Sequence, residues 1–438
     1  MAVIIVVVCI LLLILLITWG HINPFLAFLV VSLTAGLLLG IAPGKVAGSV
    51  QRGIGDTMGS LTIIIALGAM LGKLVAASGA AQRIAAVLMD TFGKGYVQWA
   101  LMATGFIVGI PLFYGVGFVL LVPLLFSVIY RYNLPAVYTG LPMLAALSVT
   151  HGFLPPHPSP MALVVQFRAN AGVTLLYGLM IAIPAILIAG PLFSLTLKKI
   201  RVAPLAVFQP ALLEEERLPA TGNSFVSALL PVFLLLSAAA IQYCCGDYYP
   251  RAHAIAAFAG DPAIVMLASL LVATFSLGIA RGRRMKEVMG YYTEAIKEVG
   301  MILLIIAGAG ALKQVLTDSG VSGQIATLLQ ASPVPPLVLG WLIAALVRLC
   351  VGSATVAGLT AAGIVVPLVE RLHVNPNLMV LSVGAGSLMF SHVNDAGFWM
   401  FKEYFNCSIK DTFRSWSLME TIVGLVGLAG VLALNHWI

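Results

Sequence analysis

The sequence predicts an all-α, polytopic membrane protein made of two repeats of opposite topology, each with a helical hairpin and a broken transmembrane helix. Three observations carry this. Hydrophobic residues are 61% of the chain and charged residues 9%, with a mean hydropathy of +1.07, a balance foreign to a water-soluble globule. Two polar stretches interrupt apolar segments at bilayer depth: Leu147-Ser-Val-Thr-His-Gly-Phe-Leu-Pro-Pro-His-Pro-Ser-Pro160 and Phe390-Ser-His-Val-Asn-Asp-Ala-Gly397. Landmarks of the first half also recur in the second at a nearly constant offset.

Taken in order, apolar spans fall near 2–19, 23–41, 57–77, 134–167, 172–197, 223–242, 257–280, 297–316, 376–404 and 415–437. The first lacks a basic leader and a small-residue cleavage site, so it reads as a retained span. Segments 134–167 and 376–404 contain the polar stretches and are therefore broken helices. Freed backbone groups are tolerated at that depth only where they line a cavity or are packed in protein. Two further stretches, 97–130 and 336–370, are too long for one span. Leu112-Phe-Tyr-Gly-Val-Gly117 and Val351-Gly-Ser-Ala-Thr-Val-Ala-Gly358 punctuate them as tips of re-entrant hairpins. The competing arrangement is two ordinary spans joined by a tight loop.

Lys and Arg gather in cytoplasmic loops. Placing Lys198, Lys199, Arg201, Arg217, Arg281, Arg283, Arg284 and Lys286 inside puts the amino terminus outside. Lys73, Arg83, Lys94, Arg131, Lys402, Lys410 and Arg414 then also fall inside, and Lys45, Arg52, Arg168, Arg251, Lys313 and Arg371 outside. The net charge of +7 is thus an orientation signal that requires no nucleic-acid partner. Five cysteines, Cys9, Cys244, Cys245, Cys350 and Cys407, show no metal-ligand spacing.

The halves repeat. Gly59–Gly79 matches Gly300–Gly320, with the closing Ser-Gly pairs 241 residues apart (320 − 79). Val122-Pro123 and Val366-Pro367 are 244 apart (366 − 122), and that offset carries His151 onto Asp395. An odd number of crossings precedes the second copy, which inverts it, as in many secondary transporters.

Folded on this pseudo-symmetry, the tips at 112–117 and 352–357 and the breaks at 150–159 and 391–397 meet near the midplane. Helix amino termini there favour an anionic substrate. The side chains offered are Tyr114, Thr150, His151, His157, Ser159, Ser353, Thr355, Ser391, His392, Asn394 and Asp395. Their hydroxyl, amide and imidazole groups suit a polyhydroxylated molecule. Arg348 lies about one turn before the Gly352 tip. Intramembrane charge makes a functional role the default reading; its guanidinium either grips a substrate carboxylate bidentately or forms a purely structural ion pair with Asp395. Asp395 and His151 are titratable groups for coupling. Glu420 and Asp56 read as interfacial charges near span ends.

Four segments carry a family resemblance: Thr150-His-Gly-Phe-Leu-Pro-Pro-His-Pro158, Gly310-Ala-Leu-Lys-Gln-Val-Leu-Thr-Asp-Ser-Gly-Val321, Gly352-Ser-Ala-Thr-Val-Ala357 and Ser391-His-Val-Asn-Asp-Ala-Gly-Phe-Trp399. They resemble the signature segments of the gluconate permease family, the gluconate:proton symporters, across essentially the whole chain. D-serine permeases of that family differ around His392 and Asn394, so the likeness is to the sugar-acid members. The family in turn resembles the ion-transporter superfamily of dicarboxylate and citrate carriers. That implies a bacterial inner-membrane homodimer whose transport parts move like an elevator against a scaffold, with a proton as coupling ion and no cofactor. The scaffold would be 1–95 and 200–333, and the transport parts 96–199 and 334–438. Two positions depart from the pattern: Gly115 stands where members typically have glutamate, and Ala396 where they have proline.

Other function classes fit less well. Histidines beside an aspartate suit an intramembrane metallohydrolase, but no His-Glu-x-x-His helix or Gly-x-Ser-x-Gly elbow accompanies them. A passive channel needs no coupling group. Among transported acids, idonate, a galactonate-like acid and D-serine compete with gluconate.

Overall fold

A computed structural model describes residues 2–112, 114–132, 134–200, 202, 217–245, 250–321, 324, 334–372, 374–393 and 395–438, all helical or connecting. The helices are α1 (Ala2–Thr18), α2 (Pro24–Leu38), α3 (Pro43–Ala77), α4 (Ala80–Phe92), α5 (Val97–Gly109), α6 (Tyr114–Tyr132), α7 (Ala136–Phe153), α8 (Pro158–Phe167) and α9 (Ala171–Leu187). The second half supplies α10 (Thr221–Cys245), α11 (Pro250–Ala259), α12 (Pro262–Ala273), α13 (Met285–Asp318), α14 (Pro336–Val351), α15 (Ala354–Leu372), α16 (Pro376–Ser387), α17 (Ala396–Tyr404) and α18 (Leu418–Trp437). Among the described residues, seven helices or helix pairs are long and apolar enough to cross a membrane, so the chain is a multi-pass membrane protein.

Local sequence sets the boundaries. Asn23, Asn170, Asp261 and Asn375 each accept a backbone N–H at the head of a helix, three of them just before a proline at its first position. α5 and α14, of 13 and 16 residues, rise only about 20–24 Å and fall short of the roughly 30 Å hydrocarbon core. Each is followed after a short tip by the next helix, α6 or α15, as a hairpin requires.

Both broken helices are present. Ala136–Phe167 runs as one apolar span with a gap at 154–157, and α16 is separated from α17 by 388–395. The first helix persists three residues past Thr150, so Thr150 and His151 are helical, and the second gap opens at Leu388 rather than at 391. Nearly every residue of α7 and α16 is buried. They form the centre, and the exposed apolar side chains lie on outer helices such as α1, α2, α9 and α12.

α3 and α13 extend well beyond the expected spans of 57–77 and 297–316, and their added turns carry charged residues. They pack antiparallel: a β-carbon on Gly53 would lie 2.4 Å from the Gly310 carbonyl oxygen, while Lys73 meets Glu294 at 3.3 Å and Glu298 at 2.7 Å. Small residues at the crossing allow that close approach. Gly53 also faces Gln314, and the 241-residue offset converts the pair Gly53–Gln314 into Glu294–Lys73, a contact that is also made.

Residues assigned to one membrane side meet in space. Arg83 donates to the Pro219 carbonyl, Arg281 to Arg217 and Leu218, and Arg283 to Ala77. Arg168, Lys313 and Arg371, assigned outside, line one cavity.

Candidate functional site

α14 ends at Gly352, whose φ of +76° needs no β-carbon and whose N–H returns to the Arg348 carbonyl. Arg348, 4% exposed, lies one turn back. Its Nη1 donates to the Gly352 carbonyl and its Nη2 donates to Asp395 Oδ2 at 2.5 Å. The second hairpin tip is thereby tied to the second break. Asp395 caps α17, its Oδ1 accepting from Gly397 N at 3.0 Å, and its Oδ2 also accepts from Ser391 Oγ. Trp416 Nε1 donates to Ser391 Oγ at 2.7 Å, and Ser417 Oγ donates to the Ser391 carbonyl. A buried charge left without a partner is strongly unfavourable, so this network holds Arg348 and Asp395 as a unit.

Above the pair opens a cavity of about 460 Å³, within the range of small-ligand sites. Of the residues singled out from sequence, Tyr114, His151, Arg348, Ser353, Thr355 and Asp395 line it. Tyr114 Oη, His151 Nδ1 and Arg348 Nε are buried there without a hydrogen-bond partner among the described residues. They offer a hydroxyl, an imidazole nitrogen and a guanidinium N–H beside the Ser353 and Thr355 hydroxyls, a set able to bind a carboxylate with several hydroxyls.

The remaining residues fall elsewhere. His157 is buried behind His151, 5.5 Å away between rings, with Nε2 2.6 Å from the Gly109 carbonyl oxygen. Thr150 donates to Leu147 and packs on Gly109. Ser159 is buried near Gly358, and Ser391 supports Asp395 from behind. His392 is half-buried, its Nε2 2.8 Å from the Leu349 carbonyl oxygen. Asn394 lies outside the described residues.

Two expectations are corrected. Glu420 is not interfacial: it is 2% exposed and lines the cavity. The span does not begin near 415, because a short helix at Ile409–Thr412 and a π turn at Phe413–Ser417 run into α18. Glu420 is thus 11 residues into Ile409–Trp437, about 16 Å from its start. Secondly, the residues heading the two second half-helices are His157 and Asp395, so the structure pairs Asp395 with His157 where the sequence offset paired it with His151. Sequence reasoning also missed Ser148 and Trp416, which line the cavity. A lone acid and an indole bracketing the start of an apolar run were the available signal.

The chain matches the GntP family of permeases over residues 1–437. It is 47% identical over 417 residues to a high-affinity gluconate transporter of Escherichia coli (strain K12), covering 94% of each chain. It is 46% identical over 418 residues to the Gnt-II system L-idonate transporter of the same strain, again covering 94% of each. These relatives are transporters and not enzymes. Among solved structures, the Alcanivorax borkumensis YdaH transporter shares the fold with a TM-score of 0.68 at 16% identity, over 94% of this chain and 97% of that one.

Proposed function

Because the chain belongs to the GntP family of permeases, we propose that it imports gluconate or a closely related sugar acid across the bacterial plasma membrane, by proton symport and elevator-type alternating access. The observation that carries the substrate reading is the pair of buried Arg348 and half-buried Asp395 beneath a hydroxyl-lined cavity where both hairpin tips and the second break converge. Arg348 keeps an unpartnered Nε facing a substrate carboxylate, and Tyr114, Ser353 and Thr355 face its hydroxyls. Thr150, His157, Ser159, Ser391 and His392 act behind or beside them, and Asn394 is proposed as a further substrate-binding residue.

Symport has a physical rationale. Bringing a monoanion in against an inside-negative potential costs about 2.3 kcal/mol per 100 mV, and one accompanying proton cancels that cost. Asp395 and His151 belong to the coupling set around the cavity.

The elevator reading has separate support. Every described residue lining the cavity lies in 96–199 or 334–438 except Ile302 of α13. The site is therefore carried almost wholly by the proposed transport parts and borders the scaffold 1–95 and 200–333. The antiparallel packing of α3 on α13, with contacts exchanged by the repeat offset, favours inverted repeats. A homodimer through the scaffold completes this reading.

L-idonate is the second substrate reading, favoured by the 46% identity to its transporter. Competition by a panel of aldonic acids and D-serine against labelled gluconate in proteoliposomes tests both. Saturable uptake abolished by a protonophore is expected. Uptake indifferent to the protonophore removes symport, and failure of gluconate to compete removes the substrate.

A further inference from the structure

We propose that Glu420 is the group that carries the co-transported proton, with its carboxyl protonated in the state seen here. This rests on the symport reading above and names the carrier within it. Glu420 projects from α18 into the cavity and is 2% exposed. Its polar neighbour is Ser148 of α7, within hydrogen-bonding reach, and Oε2 has no hydrogen-bond partner among the described residues. Both Nη atoms of Arg348 are committed elsewhere, donating to Asp395 and to the Gly352 carbonyl, and its charge is thereby already matched by Asp395. A buried carboxylate with neither counter-ion nor full hydrogen bonding is far less stable than the neutral acid.

Asp395 is the contrasting case, since its two oxygens accept from Arg348, Ser391 and Gly397. One carboxyl thus serves as the counter-ion of the guanidinium, and the other is free to gain and lose a proton. The groups around Glu420 are Arg348, Asp395, Tyr114 and His151. Gly115 lines the same cavity, and a β-carbon there would meet nothing within 4 Å. In the cycle an O–H bond forms on Glu420 with a proton from the outer solution, and that bond breaks when the proton leaves inside. One positive charge thus crosses with each monoanion.

Two measurements on the full-length protein test this. In infrared difference spectra at neutral pH, wild type minus Glu420→Gln should show the carbonyl stretch of a buried protonated acid, and Glu420→Asp should retain a shifted one. In proteoliposomes containing a pH-sensitive dye, the ratio of proton influx to labelled gluconate uptake should fall at least tenfold in Glu420→Gln and persist in Glu420→Asp. A difference spectrum without the acid band, or an unchanged ratio in Glu420→Gln, overturns the proposal. Should Glu420→Gln fail to fold, the Glu420→Asp spectrum decides: a shifted band supports the proposal and its absence overturns it. If the wild type takes up no gluconate, the substrate reading fails, and the infrared band then decides for or against a protonated Glu420 by its presence or absence.

Discussion

Gly152 and Gly384 touch where the two broken helices cross: a β-carbon on Gly384 would stand 2.5 Å from the Gly152 carbonyl oxygen. Backbone contact at this point lets α7 and α16 bring their gaps together. Gly384→Ala should therefore destabilise the protein by about 1–3 kcal/mol through overpacking, read as a lower thermal unfolding midpoint in detergent. Gly115→Ala is the control, because its β-carbon meets open space, and its midpoint should match wild type. Equal midpoints for Gly384→Ala and wild type would contradict the crossing.

Arg348→Lys keeps the charge and loses the fork. The guanidinium donates simultaneously to Gly352 and Asp395, whereas an ammonium is a compact point charge without that planar geometry. The half-saturation constant for gluconate should rise at least tenfold, about 1.4 kcal/mol. An unchanged constant would make Arg348 purely structural.

Asp395→Asn should leave Arg348 without its counter-ion, at a cost of about 3–5 kcal/mol. A bound sugar acid can then supply the missing negative charge. Gluconate should accordingly raise the thermal midpoint of Asp395→Asn by more than it raises that of wild type. If the ligand-induced shifts are equal, the substrate carboxylate does not reach Arg348.

The hairpins and breaks were legible in the sequence because their causes are local. Gly352 ends α14 by its left-handed φ, and prolines at 155, 156, 158 and 160 cannot continue α7. The full lengths of α3 and α13 were not, because their added turns carry charged residues that a hydropathy reading excludes, such as Arg52, which meets Asp318 at 2.8 Å, and Glu294, which meets Lys73 at 3.3 Å. Glu420 was misplaced for a related reason: the π turn that brings Ile409–Trp437 into one span has no composition signal. The ion pair between Arg348 and Asp395 stood as one of two readings, since spacing along the chain says nothing about which partner a side chain turns toward. The repeat register slipped between His151 and His157 because the proline landmarks sit one turn apart in the two hairpins: Pro123 and Pro367 are 244 residues apart (367 − 123), whereas the helices that contain them start 240 apart (354 − 114).

Topology supplies the test with the widest reach. α5 and α14 have only 13 and 16 residues, and the positive-inside pattern predicts both ends of the first hairpin inside and both ends of the second outside. Single cysteines replacing Gly95 and Tyr132, in a background without the native cysteines, should label only from the cytoplasm. Cysteines replacing Val334 and Leu372 should label only from outside. The two hairpins would then approach the Arg348–Asp395 cavity from opposite faces, which alternating access requires. If the two ends of either hairpin label from opposite sides, that hairpin spans the membrane, and the inverted repeat and the elevator reading built on it fail together.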